Sequence, residues 1–310
     1  MWTLAEASKR SNDVLLKGII ETIIKESPIL SRLPFETLKG TAHTYVRETT
    51  MPGAEWYSVG DTWVESSGTG TQYTASLKIL GGDIDMDNFE LKTLADASDL
   101  ESENLEAKAK AVAHEFEDKF IYGNDTTNTK TFDGLHLLVD SGMVVHATAA
   151  GNGTGAALSM AKLDQMIDMV MPGRPDLLIM NRNIRRRIGQ YYRDGSSNML
   201  MTTRGADGIP LTSYGEIPIA INDFMGQGEA LSTNSYSAKT GGATSSIFAL
   251  KLGPKLLHGY ENGGIDKERI GKLESKDATR WRLKWYVSLA LKSLYALAMV
   301  DGITDATVLD

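Results

Sequence analysis

The chain has 310 residues, with 32 Lys and Arg against 40 Asp and Glu, a formal net charge of −8 and no cysteine. That length allows one large domain or two. The acidic balance argues against a protein that coats itself in nucleic acid, and the lack of cysteine excludes disulfides and thiolate metal sites. Residues 1–10 hold no apolar run of the signal-peptide kind. No stretch reaches the roughly 18 uninterrupted apolar residues of a membrane helix; the most apolar one, 285–300, is broken by Ser288, Lys292 and Ser293. The expectation is a soluble protein that stays where it is made and has no membrane partner.

Residues 3–26 predict a helix, with Thr3 or Ser8 as cap and Val14, Leu15, Ile19, Ile20, Ile23 and Ile24 on one face. Ser27-Pro28 ends it, because the residue before proline avoids helical backbone. Segments 43–58 and 71–86 are rich in β-branched and aromatic residues, and Pro52, Gly53, Gly60, Gly68 and Gly70 punctuate the stretch between them. They read as a long two-stranded hairpin with a polar tip. An isolated hairpin is marginal in water, so one this long needs a partner surface.

The longest predicted helix spans 98–122. Leu105, Ala109, Val112, Phe116 and Phe120 form its seam, acidic residues crowd its first half, and Gly123-Asn124 stops it. Beyond it, 135–145 and 176–180 read as strands around a helix at 157–170, and 181–192 reads as another helix. Segments 217–221 and 246–252 read as strands flanking a Gly/Ser/Thr-rich connection, 226–245. From Arg280 to Leu291 polar and apolar residues alternate, the period-two mark of a long half-buried strand.

Residues that carry chemistry elsewhere form no constellation here. Gly151-Asn152-Gly153-Thr154-Gly155-Ala156 fits the loose dinucleotide pattern, but Asp176 opens the next strand where the ribose-binding acid should close it. A loop before a helix is the better reading. Asp83, Asp85 and Asp87 alternate like the start of a calcium loop, yet Asn88 and Leu94 stand where that loop needs Gly and Glu. The five histidines are scattered, without the i, i+4 pairing of a helical zinc site. The expectation is no catalytic residue, no cofactor and no metal. Arg182, Arg185 and Arg186 share one face of the 181–192 helix. Facing carboxylates of a neighbouring subunit is the preferred role for this face, with phosphate contact as the alternative.

The order of these elements resembles the major capsid proteins of tailed bacteriophages, the Johnson fold that encapsulins share. The matching features are an amphipathic N-terminal segment, the extended loop at 43–86 and the spine-type helix 98–122 ending in Phe120-Ile121-Tyr122-Gly123-Asn124. Phe132-Asp133-Gly134-Leu135 follows, and Arg280–Leu291 with Ala298–Ile303 closes the chain. The resemblance implies an α+β fold in four parts. These are an N-terminal arm at 1–42, an extended hairpin loop at 43–86, a peripheral domain at 87–150 and 265–292, and an axial domain at 151–264 and 293–310. It also implies hexamers and pentamers closing into an icosahedral virion head around double-stranded DNA, which touches only the inner shell surface. A portal and a separate scaffold protein are implied partners, a decoration protein is an optional one, and assembly is expected in the host cytoplasm. Glu55, Trp56, Asp61 and Glu65 on the loop, with Arg182, Arg185 and Arg186, are the expected inter-subunit contacts.

Some relatives of this kind cross-link through Lys, Asn and Glu. Between Asp277 and Val300 there is neither Asn nor Glu, with Thr279 and Tyr286 in their place, and Lys78 alone is insufficient. A non-covalent shell is therefore expected. The alternatives are an encapsulin-like cellular shell and, from a different class, an α+β nucleotide-binding enzyme using the 151–156 loop. A phage tail-tube subunit fits less well, because the long helix is foreign to that β-dominated class.

Overall fold

The computed structural model describes residues 2–3, 27–50, 52–89, 97–147, 155–194, 200–204, 210–226, 228–231, 236–237 and 243–309. The helix predicted over 3–26 therefore lies outside the described residues from Leu4 onward. Thr3, proposed as its cap, sits in the two-residue strand β1 (Trp2–Thr3), paired with β2 (Pro34–Thr37). Next come β3 (Ala42–Thr50), β4 (Thr69–Ser76), β5 (Lys78–Asp87) and helix α1 (Ala97–Tyr122). The short helix α2 (Leu135–Leu138), β6 (Val144–His146), α3 (Met160–Met169), β7 (Leu177–Met180) and α4 (Arg182–Asp194) follow. Then come β8 (Leu200–Arg204), β9 (Pro210–Tyr214), β10 (Ile217–Ile221), β11 (Ala230–Leu231) and β12 (Tyr236–Ser237). The last strands are β13 (Thr244–Leu250), β14 (Leu257–Lys272), β15 (Ala278–Leu291) and β16 (Leu297–Thr304).

One five-stranded sheet runs β1-β2-β14-β15-β5 and one seven-stranded sheet runs β6-β16-β13-β7-β10-β9-β8. The first packs on α1. The predicted seam of that helix, Leu105, Ala109, Val112, Phe116 and Phe120, is buried throughout. Phe116 meets Trp285 of β15 at 5.2 Å between ring centroids, and Phe35 of β2 meets the same indole at 5.4 Å. The alternation of β15 holds over its first half. From Val287 onward both faces are buried, as the strand leaves the solvent side and enters the core shared by the two sheets.

The turn after α1 explains its two glycines. Gly134 N–H donates to Gly123 O at 2.9 Å, so the chain folds back onto the helix end. A Cβ on Gly123 would lie 2.2 Å from Phe132 O, and one on Gly134 would lie 2.6 Å from Ile121 O, so only glycine fits at either place.

Two expectations need correction, and one long strand lies outside them. The 135–145 run is not a strand: it is α2, a single 3-10 turn at Ser141–Met143 and then the short β6. Leu135, Met143 and Val145 are buried in the two cores while Leu137 is exposed, and periodicity over so short a run does not separate helix from strand. The 71–86 segment is not one hairpin strand either. It divides at Leu77, whose N–H closes the hairpin onto Thr41 O at 2.8 Å. From Lys78 the chain leaves β3 and pairs instead with β15, Lys78 opposite Val287. Finally, β14 was not foreseen. Gly259, Gly263, Gly264 and Gly271 dilute its pattern, and register shifts at 261–265 and 269–271 bend it along β15.

Candidate assembly surface

The β3–β4 hairpin is anchored at its root and bare at its tip. At the root Ala75 is buried with Tyr260 and Ala290, and the His43 ring lies 5.1 Å from that of Tyr260. Further out, Arg47 crosses to the body: Nη2 donates to Leu291 O at 2.6 Å, while its guanidinium lies 4.0 Å from the Tyr73 ring centre. Past Arg47 the strand pairs continue to Thr50 opposite Thr69, and residues 52–68 form no strand.

That tip is held by its own contacts. Tyr57 and Trp63 stack at 4.3 Å, Val64 N–H donates to Tyr57 Oη at 3.1 Å, and Ser66 Oγ donates to Gly53 O at 2.9 Å. Trp56 and Val59 are fully exposed, while Trp63 and Val64 are mostly so. Glu55, Asp61 and Glu65 are exposed beside them, and Asp61 accepts the Ser58 N–H. Burying one large apolar side chain contributes roughly 1.5–3 kcal/mol, so leaving several bare on one loop marks a contact surface.

The second expected group, Arg182, Arg185 and Arg186, lies on the exposed face of α4. Arg182 grips Asp223 through both carboxylate oxygens, at 3.0 and 2.8 Å. Arg186 reaches Asp305 at 2.9 Å, and Arg187 joins it with Nε at 2.6 Å from the same carboxylate. Those partners belong to this chain. Among the described residues no hydrogen bond or ion pair links the α4 arginines to the loop acids.

The aspartates of β5 answer β15. Arg280 holds Asp85 through Nε at 2.6 Å and Nη2 at 2.8 Å, and Arg282 holds Asp83 at 2.6 and 2.9 Å. These arginine hydrogen bonds keep both carboxyls below the usual carboxylate range. On the other side Lys284 reaches Glu268 at 2.9 Å and Asp266 at 3.3 Å. The result is an acid–base–acid ladder across three strands. Lys78 is engaged as well, with Nζ 2.7 Å from Asp125 and 2.8 Å from Thr129 O.

Sequence reasoning missed the buried polar residues. Glu229 accepts from Tyr122 Oη at 2.7 Å and Ser246 Oγ at 2.6 Å, with His136 Nε2 at 3.4 Å. It thereby ties the end of α1 and the start of α2 to β13. Burial holds the His136 imidazole below its ordinary value against the pull of Glu229. A lone acid before a Gly/Ser/Thr stretch carries no local signal of this role. Among the described residues no group of acids and histidines is placed to hold a metal ion.

Comparison with known proteins places this geometry. No curated protein matches the sequence. Solved structures do. The holo-SrpI encapsulin complex from Synechococcus elongatus PCC 7942 superposes with a TM-score of 0.68 at 15% identity, covering 94% of this chain and 91% of that one. The capsid of the native GTA particle matches at 0.60 and 15% identity, over 90% and 91%. The structure from Mycobacterium phage Bobi matches at 0.60 and 13%, over 88% and 89%. Identities this low establish the fold, which is the Johnson fold of phage capsids and encapsulins. The model of the SU10 major capsid protein family matches residues 8–247, more than half the chain, and the chain belongs to that family.

Proposed function

We propose that this major capsid protein builds an icosahedral virion head from hexamers and pentamers, enclosing packaged double-stranded DNA and holding together without covalent cross-links. The observation that carries the reading is the loop 52–68, where, among the described residues, Trp56 and Val59 are fully exposed and Trp63 and Val64 mostly so. A head-to-tail contact between such a loop and the next subunit closes into rings when the rotation allows it. Residues 1–42 act as the arm and 43–86 as the extended loop. Residues 87–150 and 265–292 form the peripheral domain, and 151–264 and 293–310 the axial domain around the capsomer axis. Glu55, Trp56, Asp61 and Glu65 meet the neighbouring subunit. Arg182, Arg185 and Arg186 also face it, their charge partly spent on Asp223 and Asp305. The role is structural rather than enzymatic. The internal pairing of Lys78 with Asp125 supports a shell without cross-links. A separate scaffold protein and a portal are its proposed partners, a decoration protein is an optional one, assembly is in the host cytoplasm and DNA meets only the inner surface.

Negative-stain electron microscopy of the chain, alone and with its scaffold protein, tests this. Closed polyhedral shells or hexameric rings are expected from the intact chain. A variant lacking residues 51–70 should fold by circular dichroism yet form no stable capsomer. Normal assembly of that variant would sink the role given to the loop, and a ladder of oligomers on a denaturing gel would refute the non-covalent shell. Nuclease-protected DNA in particles separates a virion head from an encapsulin-like shell loaded with protein.

A further inference from the structure

Arg47 of β3 is a buried cation that lacks a counter-ion among the described residues. It is only 7% exposed, and its guanidinium carries several N–H donors. Nη2 donates to Leu291 O at 2.6 Å, and the charge lies 4.0 Å from the Tyr73 ring centre. Among the described residues no carboxylate pairs with it, and its Nε is buried without a hydrogen-bond partner. A charge taken out of water is costly unless an opposite charge meets it, and a carbonyl with an aromatic face supplies none.

The side chain lines a cleft of about 130 Å³ between the hairpin root, the 125–133 loop, α2 and β15. Lys78 stands in the same wall, but Asp125 and Thr129 O already hold its ammonium. Asp133 is there too and accepts the Asp125 N–H at 2.9 Å. Phe132, Leu137 and Leu138 give the cleft an apolar side, with Leu137 47% exposed.

Asp125 and Asp133 in the wall disfavour a multiply charged phosphate. A single carboxylate arriving with an apolar neighbour answers both the cation and the apolar side. Glu55 and Trp56 are such a pair. Glu55 is exposed and Trp56 fully so, and among the described residues neither makes a hydrogen bond, an ion pair or a ring contact. Their own hairpin carries them away from the cleft: the strand pairs run on from Arg47 to Thr50, about 10 Å further out at roughly 3.3 Å per residue.

We propose that the Arg47 cleft seats the loop tip of a second copy of this chain, with that copy's Glu55 paired to Arg47 and its Trp56 against the Leu137 side. This rests on the shell reading above, which supplies the second copy. Tip into root is a head-to-tail contact: each copy offers one tip and one cleft, so the contact propagates round a ring. Arg47 thereby ties its own hairpin to Leu291 and receives the next one.

The chain has no cysteine, so introduced thiols report the contact without background. Ala54→Cys and Leu137→Cys chains, one of them size-tagged, are mixed under assembly conditions and treated with a short bis-maleimide. A mixed covalent dimer is expected on a denaturing gel. Glu55→Gln in the Ala54→Cys chain, or Arg47→Gln in the Leu137→Cys chain, should slow its formation by about tenfold or more. Glu103→Gln on α1 removes the same charge elsewhere and should leave the rate within about twofold. Glu55 is exposed, so its variant decides the matter should Arg47→Gln fail to fold. An absent mixed dimer overturns the proposal, as does an unchanged rate in Glu55→Gln. A link inside the chain carrying both cysteines, with no dimer from the mixture, puts each tip in its own cleft and overturns it likewise. Closed shells by electron microscopy without the mixed dimer refute this contact and leave the capsid reading standing, whereas neither shells nor dimer refutes both.

Discussion

The β3–β4 hairpin and the β14–β15–β5 sheet are both long antiparallel pairings, yet they settle their side chains in opposite ways. The sheet buries one face on α1 and neutralises the other with the Asp83–Arg282 and Asp85–Arg280 pairs and the Lys284 bridges. The hairpin buries little beyond its root and ends in aromatic side chains facing solvent. The same backbone pattern thus serves stability in one place and availability in the other. Among the described residues, what distinguishes them is whether a helix lies against the strands. Substitutions in the sheet should act on the folded chain, and substitutions in the hairpin tip on association alone.

The largest effect that would break this division is expected at Trp285, fully buried between Phe35 and Phe116. Trp285→Ala should cost about 3–5 kcal/mol by chemical denaturation, and a loss no greater than that of a surface residue would mean the aromatic core is not the anchor. Glu229→Ala comes next. It strands the Tyr122 and Ser246 hydroxyls and His136 without their acceptor, at a cost of about 3 kcal/mol, while Glu229→Gln should recover part of it.

The pH dependence sharpens the comparison at the hairpin root. Burial lowers the imidazole of His258 to about 4, with Lys292 pushing the same way and Glu36 opposing. The unfolded chain then takes up its proton first, so stability is complete above 6.5 and declines as pH falls towards about 4, by about 3 kcal/mol. Denaturation midpoints in the Glu117→Gln background isolate this slope, because burial of Glu117 on α1 pushes its carboxyl up to about 7, which acts in the opposite direction. Replacing His258 by Phe should flatten it.

Smaller still is the ladder. Arg282→Ala should lower the melting temperature slightly, and raising the salt should shrink the difference. Least of all, Trp56→Ala should leave the unfolding free energy of the isolated chain within about 0.5 kcal/mol of wild type. Capsomer yield on a sizing column should fall even so. A destabilised Trp56→Ala monomer would show that the tip packs on its own body after all.

Much of this division was legible in the residues. The α1 seam and the first half of β15 follow from periodicity because each packs a single face. The two glycines flanking the α1 turn were visible as a pattern, though the close backbone approach that demands them was not. What stayed hidden depends on distant partners. β14 is more than half glycine and charge, and pairing with β15 makes it a strand. The break at Leu77 is set by a choice between two partner strands, β3 and β15, which local composition does not encode. Glu117, Glu229 and His258 read as ordinary polar residues, since nothing near them in the chain shows that the fold encloses them. The arginine face of α4 points to a neighbouring subunit in the sequence, and nothing there shows that Asp223 and Asp305, far off along the chain, pair with Arg182 and Arg186.

The passage from β4 to β5 through one residue has a mechanical meaning. No flexible tether separates the loop tip from the body. A load at Trp56 runs down an extended strand, turns at Leu77 and enters a strand zipped to β15 from Lys78–Val287 to Asp87–Ala278. The hairpin is therefore a lever with its fulcrum at that residue, and torque on its far end is felt along the whole width of the charged sheet.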